Sequence, residues 1–309
     1  MNILQIYRGY GEDNLNPVID NQVRSIIRIP DANIINFIFP RGGVHYFTHL
    51  PALRRVMRTN KIDIVHAHYS FCGIVAKIAA LEYPVIVSLM GSDVHGSWVY
   101  GVILRFFSKY LWKSTIVKSK QMKAKIPNSI LIPNGIDLSH YRPRDFQKSM
   151  ETTGFTSDVY NIIFVAVNPE SSVKNKKLAL DAIMNVGSSL KKKIQLHFIA
   201  NIGYKQMPYY FTAADVLILT SLSEGSPNVI KEAMACNCPI VSTDVGDVAD
   251  NISGVEGCYV SSFDANEFAG CIHKAVKHAG SALGRESIKH LSSNSVAKQI
   301  FRLYKGIHK

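Results

Sequence analysis

The sequence predicts an α/β protein made of two doubly wound, Rossmann-like domains. Apolar runs of strand length alternate with amphipathic stretches of helix length, which is the pattern of parallel sheets with crossover helices. The alternation occurs twice, on either side of a polar, irregular segment at 143–159 that is predicted to be the linker between two domains. Several apolar runs also turn polar at their carboxyl ends, where open parallel sheets bind ligands. We therefore expect two sheets that present these ends to a shared cleft.

The first half contains six predicted strands, with three predicted helices before residue 83. One helix covers 17–29, because its apolar residues recur at helical spacing on one side. The other two helices are predicted at 49–60 and 71–82. The strands are predicted at 2–7, 35–40, 61–70 and 83–93, then in STIVKSK and SILIPNGID.

The second half repeats the pattern. Strands are predicted in NIIFVAVN, IQLHFIA, DVLILTS and PIVSTD, and helices in LALDAIMNV, QMPYYFTAA and PNVIKEAMA. The last segment, VAKQIFRLYKGIHK, has the pattern of a basic amphipathic helix. The predicted domains are 1–150 and 151–292, and the terminal helix at 293–309 is expected to pack on the first domain.

Composition and charge narrow the possible classes of protein. The 309 residues are 47% hydrophobic, which allows two cored domains, and no apolar run has the length of a membrane span. The N-terminus has no basic leader and the five cysteines are an odd number, so we expect a cytoplasmic protein with reduced thiols. The spacing of Cys236 and Cys238 does not match common zinc sites, and no metal is expected.

The net charge of +12 is concentrated in the first half. Residues 1–150 have a balance of +10, and residues 151–309 have a balance of +2. Such a basic half is typical of proteins with an anionic partner, namely nucleic acid, phospholipid or a phosphorylated substrate. A solvated basic surface explains the charge equally well.

In the first half, candidate ligand-binding residues follow three predicted strands. Gly9 and Gly11 resemble a dinucleotide-binding turn, but Asn14 replaces the third glycine, which favours a flexible turn. His66 and His68 lie on one face of a strand end, as a metal pair, as donors to a substrate hydroxyl, or as groups that satisfy the strand end. The third group consists of Gly91, Ser92 and Asp93.

In the second half, the first candidate segment runs from Asn168 to Lys174. Lys174 lies just before a predicted helix, where an ammonium group and the helix N-terminus would both favour a diphosphate. Lys176 and Lys177 follow closely, so a solvated basic turn is an equal alternative.

The second candidate segment, SEGSPNVIKEAMA at 223–235, lies between two apolar runs. Gly225 allows close approach to the backbone, Ser226 is predicted to cap a helix, and Pro227 suits its first turn. The N–H groups of Asn228 and Val229 would then face an anion. Glu224 lies before the cap, and Glu232 lies deep enough in the helix to accept hydrogen bonds from a diol. Physical reasoning alone gives equal weight to another interpretation, in which Glu224 belongs to an exposed loop and Glu232 to the solvent face of the helix.

Several segments resemble the retaining glycosyltransferases of family 4, which have the GT-B fold. Glu224 and Glu232, inside EGSPNVIKEAMACNCPIVSTDVGDVAD, match the family's EX7E motif. Further matching segments occur in family order: DIVHAH, GSDV, IPNGID, VKN and AADVLILTS. The resemblance covers nearly the whole chain and is more specific in the second half. Within the family, the sequence resembles bacterial enzymes of surface-polysaccharide assembly.

The resemblance implies a role for each matching residue. Glu224 would bind hydroxyls of the donor sugar, Glu232 the ribose, and Lys174 the leaving diphosphate. The backbone of Gly225 to Val229, with Asn168, would complete the nucleotide-sugar site. Asp93 would belong to the catalytic group, and His66, His68, Gly91, Ser92 and Gly11 would line the acceptor or donor-sugar side. No metal or cofactor is implied, because the nucleoside-diphosphate sugar is itself the donor substrate.

Three positions depart from the family pattern. Asn168 replaces an Arg, Met90 replaces a His that touches the donor sugar, and RGYGEDNLNP replaces the loop with a glycine pair. These changes leave the choice of donor open. The role of this His would then be vacant, or taken by His66, His68 or His95.

The predicted function is transfer of a sugar from a nucleoside-diphosphate sugar to a glycan acceptor, polyprenyl-linked, at the inner face of the plasma membrane. WVYGVILRFFSKYLWK, at 98–113, is expected to contact an anionic membrane, or else to be an ordinary packed helix with a basic rim. The alternatives are a nucleotide-sugar epimerase or hydrolase on the same fold, and a non-catalytic partner that binds sugar nucleotides. Nucleic-acid binding is not expected.

Overall fold

The computed structural model shows two compact α/β units. The first comprises residues 1–135 and 293–309, and the second comprises residues 136–292. Each unit is built on one parallel sheet, which confirms the predicted fold class. The structure describes residues 1–9, 16–40, 45–80, 82–94, 98–186, 190–280 and 282–308.

The sheet of the first unit has six parallel strands in the order β2-β1-β3-β4-β5-β6. Every residue of β3 and β4 is buried, as expected for parallel strands covered by helices on both faces. The topology switches at β1, whose neighbours are β2 and β3. The strands are β1 (Asn2–Arg8), β2 (Asn33–Phe39), β3 (Ile64–His68), β4 (Val85–Ser88), β5 (Ser114–Val117) and β6 (Ile130–Leu131).

Helices cover both faces of this sheet. The C-terminal helix (Ser293–His308) buries Ile300, Phe301 and Tyr304 against isoleucines of the strands. The Asn16 side chain caps the first helix, and Pro17 begins it. The helices that precede the C-terminal helix in this unit are α1 (Pro17–Ile27), α2 (His45–Thr48), α3 (Leu50–Thr59), α4 (Ser70–Ala79), α5 (Trp98–Phe106), which continues as a π-helix (Phe107–Leu111), and α6 (Lys120–Lys125).

The sheet of the second unit has five parallel strands in the order β11-β10-β9-β7-β8, with its switch between β7 and β9. The strands are β7 (Val159–Val165), β8 (Lys193–Ile199), β9 (Val216–Leu219), β10 (Ile240–Thr243) and β11 (Cys258–Ser261). The helices are α7 (Phe146–Thr153), α8 (Lys176–Asn185), α9 (Met207–Ala213), α10 (Asn228–Ala235), α11 (Val248–Ile252), α12 (Ala265–Ala275) and α13 (Gly284–Ser287), with 3-10 turns at Ser172–Lys174, Val276–His278 and Lys289–Leu291.

The polar segment at 143–159 contains helix α7, where the sequence predicts a linker. The Asp145 side chain accepts from the backbone N–H of Lys148 and caps the helix, and Gly154 ends it with φ +70°. Met150 is buried in the core of the second unit. The compact units divide between residues 135 and 136, whereas the predicted boundary lies at residue 150. The prediction differs because α7 packs in the second unit through one small buried face, so its sequence is mostly polar.

The C-terminal helix starts where the chain returns to the first unit. A side chain at Gly135 would lie 2.9 Å from the Ser293 Cα, so only glycine fits beside the start of this helix. Within the described residues, no helix is both long and apolar enough to cross a membrane.

Candidate functional site

The candidate site in the second unit begins where β9 ends, beside the topological switch of the sheet. Thr220 is buried, and its hydroxyl donates to the carbonyl oxygens of Lys174 at 2.8 Å and Asn175 at 3.0 Å. The Leu222 N–H donates to the Val173 carbonyl oxygen at 2.8 Å. These bonds hold the short turn after β7 against the segment after β9.

Lys174 and Glu224 form an ion pair at this edge. The Lys174 Nζ lies 2.6 Å from the Glu224 Oε1, and the Ser221 hydroxyl donates to the same oxygen at 2.8 Å. The two side chains are 26% and 20% exposed, so each is held in place but open to solvent. The fold thus places a cation and a carboxylate together, although they are 50 residues apart in the sequence.

Helix α10 begins differently from the prediction. Pro227 occupies the N-cap position, and among the described residues no side chain caps this helix. The predicted Ser226 cap is wrong, because the Ser226 hydroxyl donates to the Asp247 Oδ2 at 2.8 Å and accepts from the Lys231 Nζ at 2.5 Å. Within the described ranges, the first-turn N–H groups at Asn228 and Val229 make no hydrogen bond to a side chain, which suits an anionic ligand.

A buried ion pair stabilises the start of α10. The Lys231 Nζ lies 2.8 Å from the Asp247 Oδ2, and the side chains are 0% and 5% exposed. The preceding residue, Gly246, has φ +64°, and a Cβ there would lie 2.8 Å from the Gly225 carbonyl oxygen. Glycine is therefore required, and the turn it makes supports the backbone of the loop that contains Glu224.

Glu232 lies further along α10 and is partly buried. Burial raises the pKa of its carboxyl to about 7, while a hydrogen bond from the Tyr141 hydroxyl lowers it. Arg285 holds the backbone beside Tyr141, because its guanidinium donates to the carbonyl oxygens of Tyr141 and Leu138, each at 2.6 Å. The Glu232 carboxylate can accept hydrogen bonds when it is ionised. Because its pKa is about 7, it is partly protonated at neutral pH.

Asn168, the first residue predicted in this region, lies in the turn after β7. Its side chain is exposed, and its Oδ1 accepts from the backbone N–H of Glu170 at 3.1 Å. The described contacts therefore show a turn-forming role for Asn168. Its role toward a nucleotide stays a prediction.

In the first unit, Asp93 is tied to backbone groups at the carboxyl edge of the sheet. Its Oδ1 accepts from the N–H groups of Met90 and Gly91, each at 3.0 Å, and its Oδ2 accepts from the Ser70 N–H at 2.9 Å. Burial raises the pKa of Asp93, and these bonds oppose the shift. Gly91 has φ +115°, and Ser92 is exposed beside it. These contacts hold the start of α4 and the turn after β4 in place.

His66 and His68 lie inside the first unit. Both are fully buried, with ring centroids 4.5 Å apart. His66 bonds the Ser88 hydroxyl at 2.8 Å and the Tyr304 hydroxyl, and His68 Nε2 bonds the Gln5 Oε1 at 2.8 Å. Burial lowers the pKa of both imidazoles, that of His68 to about 3 with a further contribution from the Lys118 charge. These contacts favour the structural alternative over contact with a substrate. Gly11 and His95 lie outside the described residues.

Some residues of the site were not predicted from the sequence. Tyr141 bonds Glu232, Ser221 bonds Glu224, and Lys231 pairs with Asp247. Lys231 and Asp247 each lie in a segment whose neighbours are buried, and a charge in such a segment signals a partner. Tyr141 has no comparable local signal.

The chemical character of the edge follows from these groups. It offers a cation, an uncapped helix start and two carboxylates that accept hydrogen bonds, and these suit a ligand with phosphate and hydroxyl groups. Among the described residues, no group of three or more His, Cys, Asp and Glu side chains is placed to hold a metal ion.

Comparison with protein families places the chain in one class. Residues 160–278 match the model of "Glycosyl transferases group 1", and residues 8–140 match that of "Glycosyltransferase Family 4". The two models together cover most of the chain. The protein belongs to the group 1, family 4 glycosyltransferases, as the resemblance predicts.

Individual relatives and structures agree with this class. The chain is 26% identical to a putative teichuronic acid biosynthesis glycosyltransferase, TuaC, of Bacillus subtilis, over 60% of this chain and 54% of that protein. Sucrose-phosphate synthase from Thermosynechococcus elongatus has a similar structure, with TM-score 0.81, 16% identity, and 99% and 98% coverage. Anabaena HepE in complex with UDP-glucose has TM-score 0.79, 13% identity, and 98% and 99% coverage. The fold is GT-B, as predicted, and the chain spans about half the length of the first curated relatives it matches.

Proposed function

We propose that this protein is a retaining glycosyltransferase that moves a sugar from a nucleoside-diphosphate sugar to a lipid-linked glycan acceptor. The observation that carries the proposal is the Lys174–Glu224 pair at the carboxyl edge of the second sheet. The names of two similar proteins support it, because TuaC is assigned to teichuronic acid biosynthesis and HepE binds UDP-glucose. We assign the reaction to cell-surface polysaccharide assembly at the cytoplasmic face of the membrane.

Lys174 binds the diphosphate in this proposal. Negative charge grows on the diphosphate as the bond to the sugar breaks, so a fixed ammonium group stabilises the transition state more than the ground state. The uncapped N–H groups at the start of α10 add a second, oriented positive field. The backbone from Gly225 to Val229 lines the same place.

Glu224 binds the donor sugar. Its Oε1 accepts from Lys174 and Ser221, so contacts within the protein set its orientation. The remaining oxygen, Oε2, is then the acceptor for a sugar hydroxyl, since an ionised carboxylate accepts several hydrogen bonds. The pair thus aligns the sugar and the diphosphate across the bond that breaks.

Glu232 binds the ribose through its two oxygens. The Tyr141 hydroxyl donates to the same carboxylate, which keeps it oriented toward one side. Since burial raises its pKa to about 7, ionisation and therefore ribose binding depend on pH near neutrality.

The acceptor proton needs a base in any transfer of this kind. Asp93 is occupied by three backbone N–H groups, and both buried histidines bond other side chains. We propose, as the resemblance to the family implies, that the leaving phosphate takes up this proton on the same face of the sugar as the acceptor. Asp93, Gly91 and Ser92 then position the acceptor-side edge. No metal ion takes part in this scheme.

The first test is nucleotide binding by calorimetry with UDP, GDP and ADP. We expect one nucleotide to bind, and we expect Lys174→Met and Glu232→Gln each to weaken it. Lys177→Met is the matched control, because Lys177 lies just after this turn, in α8, but is 84% exposed and pairs with Asp181. Failure of every nucleotide to bind would overturn the proposal.

The second test is transfer of labelled sugar from UDP- and GDP-sugars to a bacterial lipid extract that contains polyprenyl-linked glycans. We expect product only with the extract, with the donor's anomeric configuration by NMR, and loss of product in Glu224→Gln. Consumption of the donor without acceptor would instead indicate an epimerase or hydrolase. Binding without any turnover would indicate a non-catalytic sugar-nucleotide partner.

A further inference from the structure

The outward face of α5 and the π-helix that follows it is strongly apolar. Large side chains at spacings of three and four residues form one stripe along both segments. Their exposed fractions are 78% for Trp98, 58% for Val99, 43% for Val102, 39% for Ile103, 52% for Phe106 and 62% for Tyr110. Single exposed apolar residues are common on proteins, but a continuous stripe of six indicates a binding surface. We call these six residues the aromatic stripe.

The opposite face of the same segment is firmly packed. Leu104, Ser108 and Trp112 recur every four residues and are buried. The Trp112 indole N–H donates to the Gly73 carbonyl oxygen at 3.2 Å, and the Ser108 hydroxyl donates to the Asn128 carbonyl oxygen at 3.2 Å. The buried contacts of the inner face therefore fix the orientation of the helix. As a result, the aromatic stripe faces outward from an element that is held in place.

Positive charge borders the aromatic stripe. Arg105, Lys109 and Lys113 recur every four residues and are exposed, and the Lys109 Nζ lies 4.8 Å from the centre of the Tyr110 ring. From residue 94 to residue 136 the sequence has seven Lys and Arg residues and no Asp or Glu. The first unit as a whole has a balance of +13, and the second has a balance of −1. The stripe therefore lies in the cationic unit, within a segment that has no acidic residue.

We propose that the aromatic stripe and the Arg105–Lys109–Lys113 row dock on the surface of an anionic lipid bilayer. Trp and Tyr rings favour the interface between headgroups and acyl chains, while Lys and Arg extend to the phosphates. The segment lies on the membrane and does not cross it. A second copy of this chain fits less well, because a two-fold contact through the stripe would bring two basic rows together.

The docking helix is linked to the carboxyl edge of the first sheet. The Tyr100 hydroxyl bonds the Ser70 hydroxyl at 2.6 Å, and the Ser70 N–H donates to Asp93 at 2.9 Å. Docking would therefore hold the turn after β4 close to the membrane surface. This link rests on the proposed function, because only a lipid-linked acceptor gives the proximity a purpose, whereas the docking itself does not depend on transfer.

The test is flotation with vesicles of phosphatidylcholine alone or mixed with an equal part of phosphatidylglycerol. We expect binding only to the mixed vesicles, and weaker binding as salt is raised. Arg105→Gln, Lys109→Gln and Lys113→Gln together should lower the partition coefficient about a hundredfold, from roughly fivefold for each charge near an anionic surface. The matched control is Lys191→Gln, Lys193→Gln and Lys277→Gln, three exposed lysines of the second unit, which should change it less than twofold.

Tryptophan fluorescence tests the stripe directly, because the chain has two tryptophans, one exposed and one buried. With Trp112→Phe, the remaining Trp98 should shift to shorter wavelength on mixed vesicles and be quenched by brominated lipid. With Trp98→Phe, the remaining Trp112 should show neither change. Phe106→Ser with Tyr110→Ser should weaken binding while leaving the circular dichroism spectrum unchanged.

Three results would overturn the docking proposal: equal binding by the charge variant, equal binding to neutral vesicles, or a lipid-independent dimer that Phe106→Ser with Tyr110→Ser dissociates. Nucleotide binding measured without lipid separates the two proposals. A variant that binds nucleotide normally but no longer floats supports docking. Normal flotation of a protein that binds no nucleotide would contradict the proposed transferase and leave the docking surface standing.

Discussion

The two units share a parallel α/β architecture but use the carboxyl edge of the sheet differently. In the first unit, His66 and His68 turn into the core and bond Gln5, Ser88 and Tyr304. In the second unit, Lys174 and Glu224 meet at the surface, where a ligand can reach them. The same polar position at a strand end therefore serves the scaffold in one unit and a candidate site in the other.

The charge of the two units differs in the same way. The whole net positive charge belongs to the first unit, whose most exposed apolar helix is bordered by basic residues. The second unit is nearly neutral and places its few cations at defined contacts. A strand-end residue therefore indicates a site only when its side chain remains open. Four measurements test this difference between the two units.

The largest expected effect is the loss of the buried Lys231–Asp247 pair. Lys231→Met should lower the free energy of unfolding of the second unit by about 3–5 kcal/mol, because it leaves a buried carboxylate without its partner. Urea unfolding, followed by probes in each unit, measures this. Adding Asp247→Asn should recover part of the loss, and an effect below about 1 kcal/mol would show that the pair does not support the loop.

Lys174→Met should instead damage catalysis and spare stability. We expect kcat/KM for transfer to fall about 10²- to 10³-fold, as for loss of one group that stabilises developing charge. Because this pair is partly exposed, the free energy of unfolding should change by no more than about 1 kcal/mol. Equal activity of Lys174→Met and the Lys177→Met control would place the diphosphate elsewhere.

Acid should destabilise the first unit through its buried histidines. The folded-state pKa of His68 is lowered to about 3, below its unfolded value of about 6.5, so its contribution is present above pH 6.5 and is lost as the pH falls. Between pH 6.5 and pH 5 this amounts to about 2 kcal/mol for His68 alone. Chemical denaturation of wild type and His68→Gln at both pH values isolates the effect. If wild type and His68→Gln lost the same free energy of unfolding between these pH values, His68 would be charged in the folded protein.

Glu232 should make nucleotide binding depend on pH near neutrality. Its pKa is raised to about 7, so protonation between pH 8 and pH 6 removes most of the carboxylate that would bind the ribose. We expect the affinity to fall about tenfold over this range, and we expect Glu232→Gln to bind weakly with little pH dependence. Calorimetry at the two pH values checks this, and an unchanged wild-type affinity would remove Glu232 from the ribose site.

Much of the fold could be predicted, because apolar periodicity is a local property of the chain. Helix α7 was missed because its polar sequence buries only a small face, although Asp145 and Gly154 mark its two ends. In the candidate site, Lys174 and Glu224 were predicted separately, but their contact is made across 50 residues. Ser226 was given a local role as a cap, whereas its hydroxyl bonds Asp247, 21 residues away.

The α/β class, the basic first half and the residues that follow each strand can all be predicted from the sequence, because they depend on neighbours along the chain. Which of those residues stay open depends on the packing of the folded chain. His66 is turned inward by Tyr304, 238 residues away, and the aromatic stripe stays bare because Leu104, Ser108 and Trp112 take the inner face of its helix. Burial is set by whatever packs across the fold, and no local pattern contains that information.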